Sequence, residues 1–367
     1  MSKVAVRTGL GALPARVGIV GCGKISAAYL RRSYGEFTCV ACADIEPDRA
    51  RTLSKSHGLE AMPVEDLLSC EDIDIVLNLT TPQAHVPVGI MALRYGKHLY
   101  LEKPLGLDRS EAAELLVTAS QANLLVGCAP DTFLGAGLQT CRRLIDEGRI
   151  GTPVAAMAHM VNHGHEHWHP DPAFYYLHGG GPLLDMGPYY VTALVSLLGP
   201  VRRVAGAARG IGTERMVPSG PRVGDVLKVE VPTHVAGVLD FADGVVATLV
   251  TSFDVWRSTV PRLEIHGSEG SLLLPDPNTF DGPVRIYTRG MDDYEDVPLG
   301  EFASCERGIG LACLAAGSGE NRASGQLAYH VLDVLLGVVE SASSGGHVVI
   351  ASSVDRPQPM AVQLSGE

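Results

Sequence analysis

At 367 residues the chain is longer than one hydrophobic core ordinarily serves, so two domains are the default. A net charge of -12 argues against broad contact with nucleic acid or an anionic membrane, both of which need clustered lysine and arginine; a small anionic ligand in a local basic pocket stays open. No apolar run approaches the roughly 18 residues that span a bilayer, and the start, MSKVAVRTGLGALPARVG, has no continuous apolar core of a signal peptide.

Cys22, Cys39, Cys42, Cys70, Cys128, Cys141, Cys305 and Cys313 are scattered apart from the one CxxC spacing, CVAC at Cys39 and Cys42, which lies within a strand, and they mostly sit in apolar runs. They read as buried thiols in a reducing, cytoplasmic setting rather than as disulfides.

Residues 1–13 read as a loose tail. From Ala15 the predicted elements alternate: the strand ARVGIVGCG, the helix KISAAYLRRSY, the strand FTCVACAD and the helix PDRARTLSKSHG, with Pro47 in its first turn. IDIVLNLT, HLYLEKP and LLVGCAP follow as strands, with AHVPVGIMALRYGK and DRSEAAELLVTASQAN as the helices between them. Fully apolar strands alternating with helices predict a parallel sheet covered on both faces, over 14–131.

Beyond Asp131 the texture changes. LGAGLQTCRRLIDEGRIG reads as a helix, VAAMAHMVNH as a strand, and a helix follows from about Pro182 to Leu198. VRRVAGAARG, VEVPTHVAGVLDF, GVVATLVTSFDVW, RLEIHGSEGSLLLPD and VRIYTR are strands in series joined by short turns, which predicts an antiparallel sheet in an α/β domain over 132–352. The helix SGQLAYHVLDVLLGVVESAS and the short strand HVVI close that domain, and 353–367 reads as a loosely held tail.

Three stretches carry chemistry. VGIVGCGKIS sets Gly21 and Gly23 between a strand and a helix, where small residues let a pyrophosphate approach the backbone and the helix N-terminus, with Lys24 and Ile25 in touching range. Asp44, about twenty residues on at the end of the next strand, would accept hydrogen bonds from ribose hydroxyls and favour NAD over NADP, a preference that nearby Arg49 blunts. In LTTPQAH, Thr80, Thr81, Pro82 and His85 stand at a strand's carboxyl end, where open parallel sheets bind ligands, although a helix cap followed by proline explains the same pattern. In LEKPLGL, Glu102 and Lys103 end another such strand; burial there would lower the lysine pKa and suit it to a substrate hydroxyl, while the bland alternative pairs it with Glu102 at the rim.

Together these residues resemble the Gfo/Idh/MocA family of oxidoreductases. The likeness runs through GCGKIS, LTTPQAH, ALRYGKHLYLEKPL, LIDEGRIGTP and GGGPLLDMGPYY, in order from Ala15 to HVVI. It implies a Rossmann dinucleotide-binding domain joined to a larger α/β domain whose open, mostly antiparallel sheet is an oligomer interface, here of a homodimer or homotetramer. It implies NAD, with NADP as the second choice, and hydride transfer at a ring carbon of a sugar, aminosugar or polyol. Lys103 matches the family's catalytic lysine and Asp185 the aspartate that binds a substrate hydroxyl. Tyr189 stands where many relatives carry a catalytic histidine, so the proton carrier is Tyr189 activated by Lys103, Lys103 itself, or a loop histidine. GCAPDTF lacks the aromatic-arginine pair of many relatives and offers Asp131 as a sugar ligand, or else as a helix cap. Two other activities fit the same residues: a redox-assisted glycosidase or lyase working through a 3-keto intermediate, and a non-catalytic sugar or NAD sensor, against which Lys103 and Asp185 argue.

In GGGPLLDMG, the glycines would let backbone approach a ligand, and Asp185 would fall in the first helical turn, where the dipole favours its charge. Just before it lies HGHEHWHPDPAFYY. His163 and His165 share one face of an extended strand, but Glu166 is on the wrong parity to join them, and Pro170 and Pro172 turn the chain after His169. No metal is expected. The stretch reads instead as a pocket wall, with Trp168 as a flat apolar face for a sugar ring and His165 and His167 matched to its hydroxyls.

Overall fold

The structure, a computed structural model, describes residues 14–300, 302, 305–317, 319 and 321–361. The tail read at 1–13 and the end of the C-terminal tail lie outside the described residues. The chain folds as two units, and the division is not a single cut: the first runs to Asp131 and regains Cys305–Tyr329, and the second holds Thr132–Ser304 and the chain from His330 on.

In the first unit, β1 (Ala15–Val20), β2 (Phe37–Ala43), β3 (Glu60–Ala61), β4 (Ile75–Asn78), β5 (His98–Leu101) and β6 (Val126–Cys128) form one sheet in the order β3-β2-β1-β4-β5-β6. All its pairings are parallel. This is the doubly wound order, whose strand order reverses beside β1 and opens a ligand crevice at the strands' carboxyl ends. Every residue of β4 and β5 is buried, as strands covered on both faces must be. The intervening helices begin and end on local signals. Pro47 opens one in its first turn and Gly58, at φ 70°, closes it, while the Asp108 carboxylate caps another through the Ser110 and Glu111 amides. The helix expected over KISAAYLRRSY is a single turn, Ser26–Tyr29. It stops because the chain then swings Tyr34 onto Phe37, with its hydroxyl donating to Glu306 O at 2.8 Å. The returning segment covers the open edge of β6: Cys128 N–H donates to Ala323 O at 2.9 Å, and Gly127 bridges Ser324.

The second unit is built on nine strands: β7 (Pro153–Val161), β8 (Val201–Arg209), β11 (His234–Phe241), β12 (Val246–Ser252), β13 (Leu263–Gly267), β14 (Gly270–Leu273), β15 (Val284–Thr288), β16 (Glu295–Val297) and β17 (Val348–Val349). Their order is β16-β15-β14-β13-β7-β12-β11-β8-β17, antiparallel throughout except for the parallel pair β7 and β12. The period-2 pattern shows in β7, where Ala156, Ala158 and Met160 are buried and Met157 is exposed. The helix Gly325–Ser344 presses on the buried face so closely that a Cβ on Gly206 would meet the Val338 carbonyl oxygen.

Two features differ from the sequence expectation. VEVPTHVAGVLDF is not one strand: Pro232 cannot donate to a ladder, and β11 starts only at His234. The residues before it form a separate hairpin, β9 (Glu214–Met216) with β10 (Val226–Lys228). The C-terminal tail, where described, is not loose. Arg356 Nη2 meets Asp146 Oδ1 at 2.7 Å, Arg142 donates to Pro357 O at 3.0 Å, and Met360 N–H donates to Gln139 Oε1 at 2.7 Å.

Candidate cofactor and substrate sites

The glycine turn of the first unit is shaped by two different demands. Gly21 has φ +98°, its N–H donates to Ala43 O at 2.9 Å, and a Cβ there would lie 2.6 Å from the Leu79 carbonyl. Gly23 has nothing within 4 Å of a built Cβ; it opens on a cavity of about 540 Å³ lined also by Cys22, Lys24, Ser26, Arg49 and His57. The first glycine makes the turn and the second leaves room beside it, which is the cradle a dinucleotide pyrophosphate needs. Lys24 and Arg49 supply positive charge to the cavity. Asp44 ties the turn to the end of β2 by accepting from Cys22 N at 2.7 Å and Glu46 N at 2.8 Å. These residues fit NAD(P).

The next two strand ends are joined by buried polar groups. Asn78, fully buried at the end of β4, accepts from Thr80 Oγ1 at 2.6 Å and donates to His85 O at 2.9 Å. His85 is buried, with Nδ1 2.7 Å from Pro104 O and Nε2 3.1 Å from Thr80 O. Burial pushes its pKa down and outweighs the two carbonyls. His85 therefore links the Thr80 turn to the segment carrying Lys103. Thr81 occupies the N-cap position of the helix Pro82–Arg94 but makes no side-chain cap bond.

Glu102 is buried and Lys103 half-buried. Glu102 accepts from the Tyr29 hydroxyl at 2.9 Å and from the Lys103 N–H at 3.1 Å, with Arg307 Nη1 3.6 Å away. The Lys103–Pro104 peptide is cis.

Asp131 is not where a sugar ligand has to be. It has no exposed surface, and its Oδ2 accepts from Gly308 N at 2.8 Å and Gly310 N at 3.2 Å, at the start of the helix Ile309–Ala315. Burial raises its pKa beyond what Arg307 and those two amides recover. The carboxylate caps a helix nearly two hundred residues downstream in sequence, a partner that local spacing gives no hint of.

In the second unit the helix Gly181–Leu198 carries Asp185 and Tyr189 four residues apart on one side. It starts one residue earlier than Pro182, so Asp185 falls beyond the first turn and the dipole argument for its charge lapses. The glycine run also serves another purpose than ligand approach. A Cβ on Gly180 would lie 2.6 Å from the carbonyl oxygens of Phe174 and Tyr175, so the protein's own backbone fills that space.

The histidine stretch is a turn, not a strand, since β7 ends at Val161. Its rings diverge. His163 stacks on Trp256 with centroids 3.4 Å apart. His165 stacks on Tyr175 at 4.0 Å, meets Phe253 edge-on at 4.7 Å, and places Nε2 3.6 Å from Asp185 Oδ2. Trp168, 54% exposed, has its ring 5.3 Å from that of His165. His167 is exposed, and its carbonyl accepts from Ser219 Oγ at 2.6 Å. Among the described residues no group of three or more His, Cys, Asp or Glu is placed to hold a metal ion.

Sequence reasoning missed the support beneath this loop. Glu166 is buried, accepting from the Tyr176 hydroxyl and from Arg215 Nε at 2.9 Å. Arg215, on β9, also meets Asp254 Oδ1 at 2.8 Å. Tyr176 is wholly buried in this node. The only sequence signal was the parity that set Glu166 apart from the histidines.

Residues 15–129 match the family description "Oxidoreductase family, NAD-binding Rossmann fold", and residues 138–273 match "GFO/IDH/MocA C-terminal domain". Among curated proteins, 1,5-anhydro-D-fructose reductase of Ensifer adhaerens is 27% identical over 344 residues, 90% of this chain and 97% of that protein. Inositol 2-dehydrogenase of Rhizobium meliloti (strain 1021) is 28% identical over 78% of this chain and 82% of its own. Among solved structures, levoglucosan dehydrogenase in complex with NADH and L-sorbose has the same fold, with a TM-score of 0.76 over 92% of this chain and 99% of that one at 20% identity.

Proposed function

The chain belongs to the Gfo/Idh/MocA family of NAD(P)-dependent oxidoreductases, and from that premise we propose that it transfers hydride between a ring carbon of a sugar, aminosugar or polyol and the nicotinamide. The observation that carries the substrate class is the grouping of Asp185, His165 and the exposed Trp168 ring: acceptor and donor groups suited to hydroxyls beside a flat apolar face suited to sugar C–H bonds. The named relatives act on polyhydroxylated compounds, an anhydro sugar and inositol, which supports the same class.

When bound, NAD(P) supplies the hydride acceptor or donor. Lys103 hydrogen-bonds the reacting hydroxyl and shares in moving its proton, and Glu102 and His85 fix the backbone on either side of it. Asp185 orients substrate hydroxyls, and Tyr189, one helical turn on, positions them. Asp44 takes the adenine-ribose hydroxyls and so favours NAD. Lys103→Ala is expected to keep NADH binding and to lower hydride transfer to a turned-over sugar about a hundredfold or more, the usual scale for a lost acid/base group. Turnover near wild type, read as NADH absorbance across a panel of sugars, aminosugars and polyols, would remove Lys103 from that role.

We also propose a homodimer or homotetramer formed through the outer face of the nine-stranded sheet. Val238 on β11 and Met157 on β7 lie in one cross-strand row through Thr248, with Val246 beside them, and all three apolar side chains are at least 40% exposed. No helix among the described residues is long and apolar enough to cross a membrane. All eight cysteines are free thiols, which supports a reducing, cytoplasmic location.

A further inference from the structure

Tyr189 stands where the resemblance puts a histidine in many relatives, so the proton that Lys103 helps to move needs a partner group, either that tyrosine or a histidine of the neighbouring loop. We propose that His165 is this group, paired with Asp185, and that Arg215 is the positioning residue that holds it there. The proposal rests on the sugar dehydrogenase reading above and names a residue pair for it.

His165 has a carboxylate of the candidate site, Asp185, beside its ring. The Nε2 to Asp185 Oδ2 gap is 3.6 Å, an ion-pair distance when the ring is protonated, yet longer than a hydrogen bond. That gap is short enough for one hydroxyl oxygen to lie within hydrogen-bond length of both atoms at once. Asp185 keeps 16% of its side-chain surface exposed, so the pair is reached from the carboxylate side while the ring behind it is packed. Tyr175 on one face and Phe253 at the edge fix the ring plane. A histidine that is only a satisfied loop residue needs no such clamp aimed at an aspartate.

The step is balanced as follows. In oxidation the substrate O–H proton passes to His165 Nε2 as the carbon–oxygen double bond forms and the C–H bonding pair leaves as hydride, for which NAD(P), when bound, would be the acceptor. The resulting imidazolium is held by the Asp185 carboxylate. In reduction the same proton returns to the carbonyl oxygen.

What places His165 is its neighbour in sequence. Glu166 turns away from the loop face into the unit, where Arg215 meets Oε1 through Nε at 2.9 Å and Nη2 at 2.8 Å. The same guanidinium reaches Asp254 at 2.8 Å, the His163 carbonyl at 3.3 Å and the Phe253 carbonyl at 3.0 Å, and it lies 5.2 Å over the Tyr176 ring. Tyr176 closes the circuit by donating to Glu166 and accepting the His165 N–H at 3.3 Å. Thus one arginine from the β9–β10 hairpin grips the histidine loop, the β12 end that carries Phe253, and Asp254. A fork of five donors can do this and an ammonium cannot.

The test uses full-length protein labelled with ¹⁵N-histidine and saturated with NAD, with the His165 ring signals assigned by their loss in His165→Asn. Asp185→Asn is expected to move those signals, and Arg215→Lys, which keeps the charge but not the fork, to broaden or displace them and to weaken their response to Asp185→Asn. On a sugar turned over by wild type, His165→Asn should lower kcat about a hundredfold with KM changed far less. Arg215→Lys should lower kcat in the same sense, and Tyr189→Phe should act mainly on KM. His165 signals indifferent to Asp185→Asn, or kcat of His165→Asn within about threefold of wild type, would overturn the proposal. A wild-type protein that turns over no sugar or polyol would instead overturn the wider reading, while the ring signals still decide whether His165 and Asp185 are coupled.

Discussion

Gly21 and Gly23 stand two residues apart in one turn, and the structure separates what each does. Gly21→Ala puts a side chain at φ +98°, which costs an L-residue about 1–2 kcal/mol. It also sets a Cβ 2.6 Å from the Leu79 carbonyl, backbone that cannot swing aside, for about 1–3 kcal/mol more. The sum, about 2–5 kcal/mol, corresponds to a fall in Tm of roughly 4–20 °C in a body of this size. Gly23→Ala meets nothing within 4 Å, so its stability should stay within about 0.5 kcal/mol of wild type. The same methyl projects into the cradle, and NADH affinity should fall at least about tenfold, or about 1.4 kcal/mol. Thermal unfolding by circular dichroism and a fluorescence titration with NADH read the two effects separately. Wild-type melting of Gly21→Ala would refute the steric account, and wild-type NADH affinity in Gly23→Ala would remove Gly23 from the cofactor site.

Asp44→Ser keeps an acceptor for the Cys22 N–H but loses the charge, and should raise the NADP to NAD affinity ratio at least about tenfold; an unchanged ratio, by the same titration, would show that Asp44 does not face the ribose. Glu102→Gln turns one accepting oxygen into a donor facing the Lys103 N–H, which should cost about 1–3 kcal/mol and lower kcat together with stability; a stable variant with normal kcat would free Lys103 from this anchor. Acid sensitivity should come in two stages. Burial holds the His85, His98 and His330 pKa values down, so their contribution is complete above about pH 6.5 and is lost as pH falls through the lower folded values. Burial pushes Glu166 up, but the Tyr176 hydroxyl and Arg215 outweigh it and hold its pKa low. Its contribution is therefore complete above about pH 4.3 and lost below that. Glu166→Gln should lower Tm at neutral pH and remove the second stage; a Tm-against-pH curve parallel to wild type would contradict this.

Local grammar made most of the first unit legible. Apolar runs of four to six residues, a proline at one helix start, a glycine at φ 70° at its end and an aspartate cap each act within a few residues, so the sequence alone places them. The exceptions are settled by distant residues. The first helix is cut to one turn because Tyr34 is claimed by Glu306, and Asp131 is withdrawn from the substrate because Gly308 and Gly310 need an acceptor. Neither partner can be inferred from spacing. The same holds for Arg215, which reads as an ordinary charge in a loop until the hairpin folds it against Glu166. Asp185 and Tyr189 were legible as a pair because helical periodicity alone puts them on one side.

Each unit solves one mechanical problem in the same way. Lys103 and His165 both need a defined direction, and neither lies inside a helix or strand that would give it one. In each case the adjacent residue is a buried glutamate: Glu102 after β5 and Glu166 in the histidine turn. Each glutamate accepts from a buried tyrosine hydroxyl, Tyr29 or Tyr176, and lies near an arginine brought from far along the chain, Arg307 or Arg215. Taking a carboxylate out of water is costly, and the pairing does not by itself favour stability over a hydrophobic core of the same shape. What the arrangement supplies is direction: breaking either node strands a buried charge, so the backbone next to the candidate catalytic group has few alternatives to its native path. The polar residues picked out by motif thus divide by burial. Asp185, Lys103 and Trp168 keep exposed surface, whereas Glu102, Glu166 and His85 are spent on holding the chain beside them, and His165 is buried but lies against Asp185.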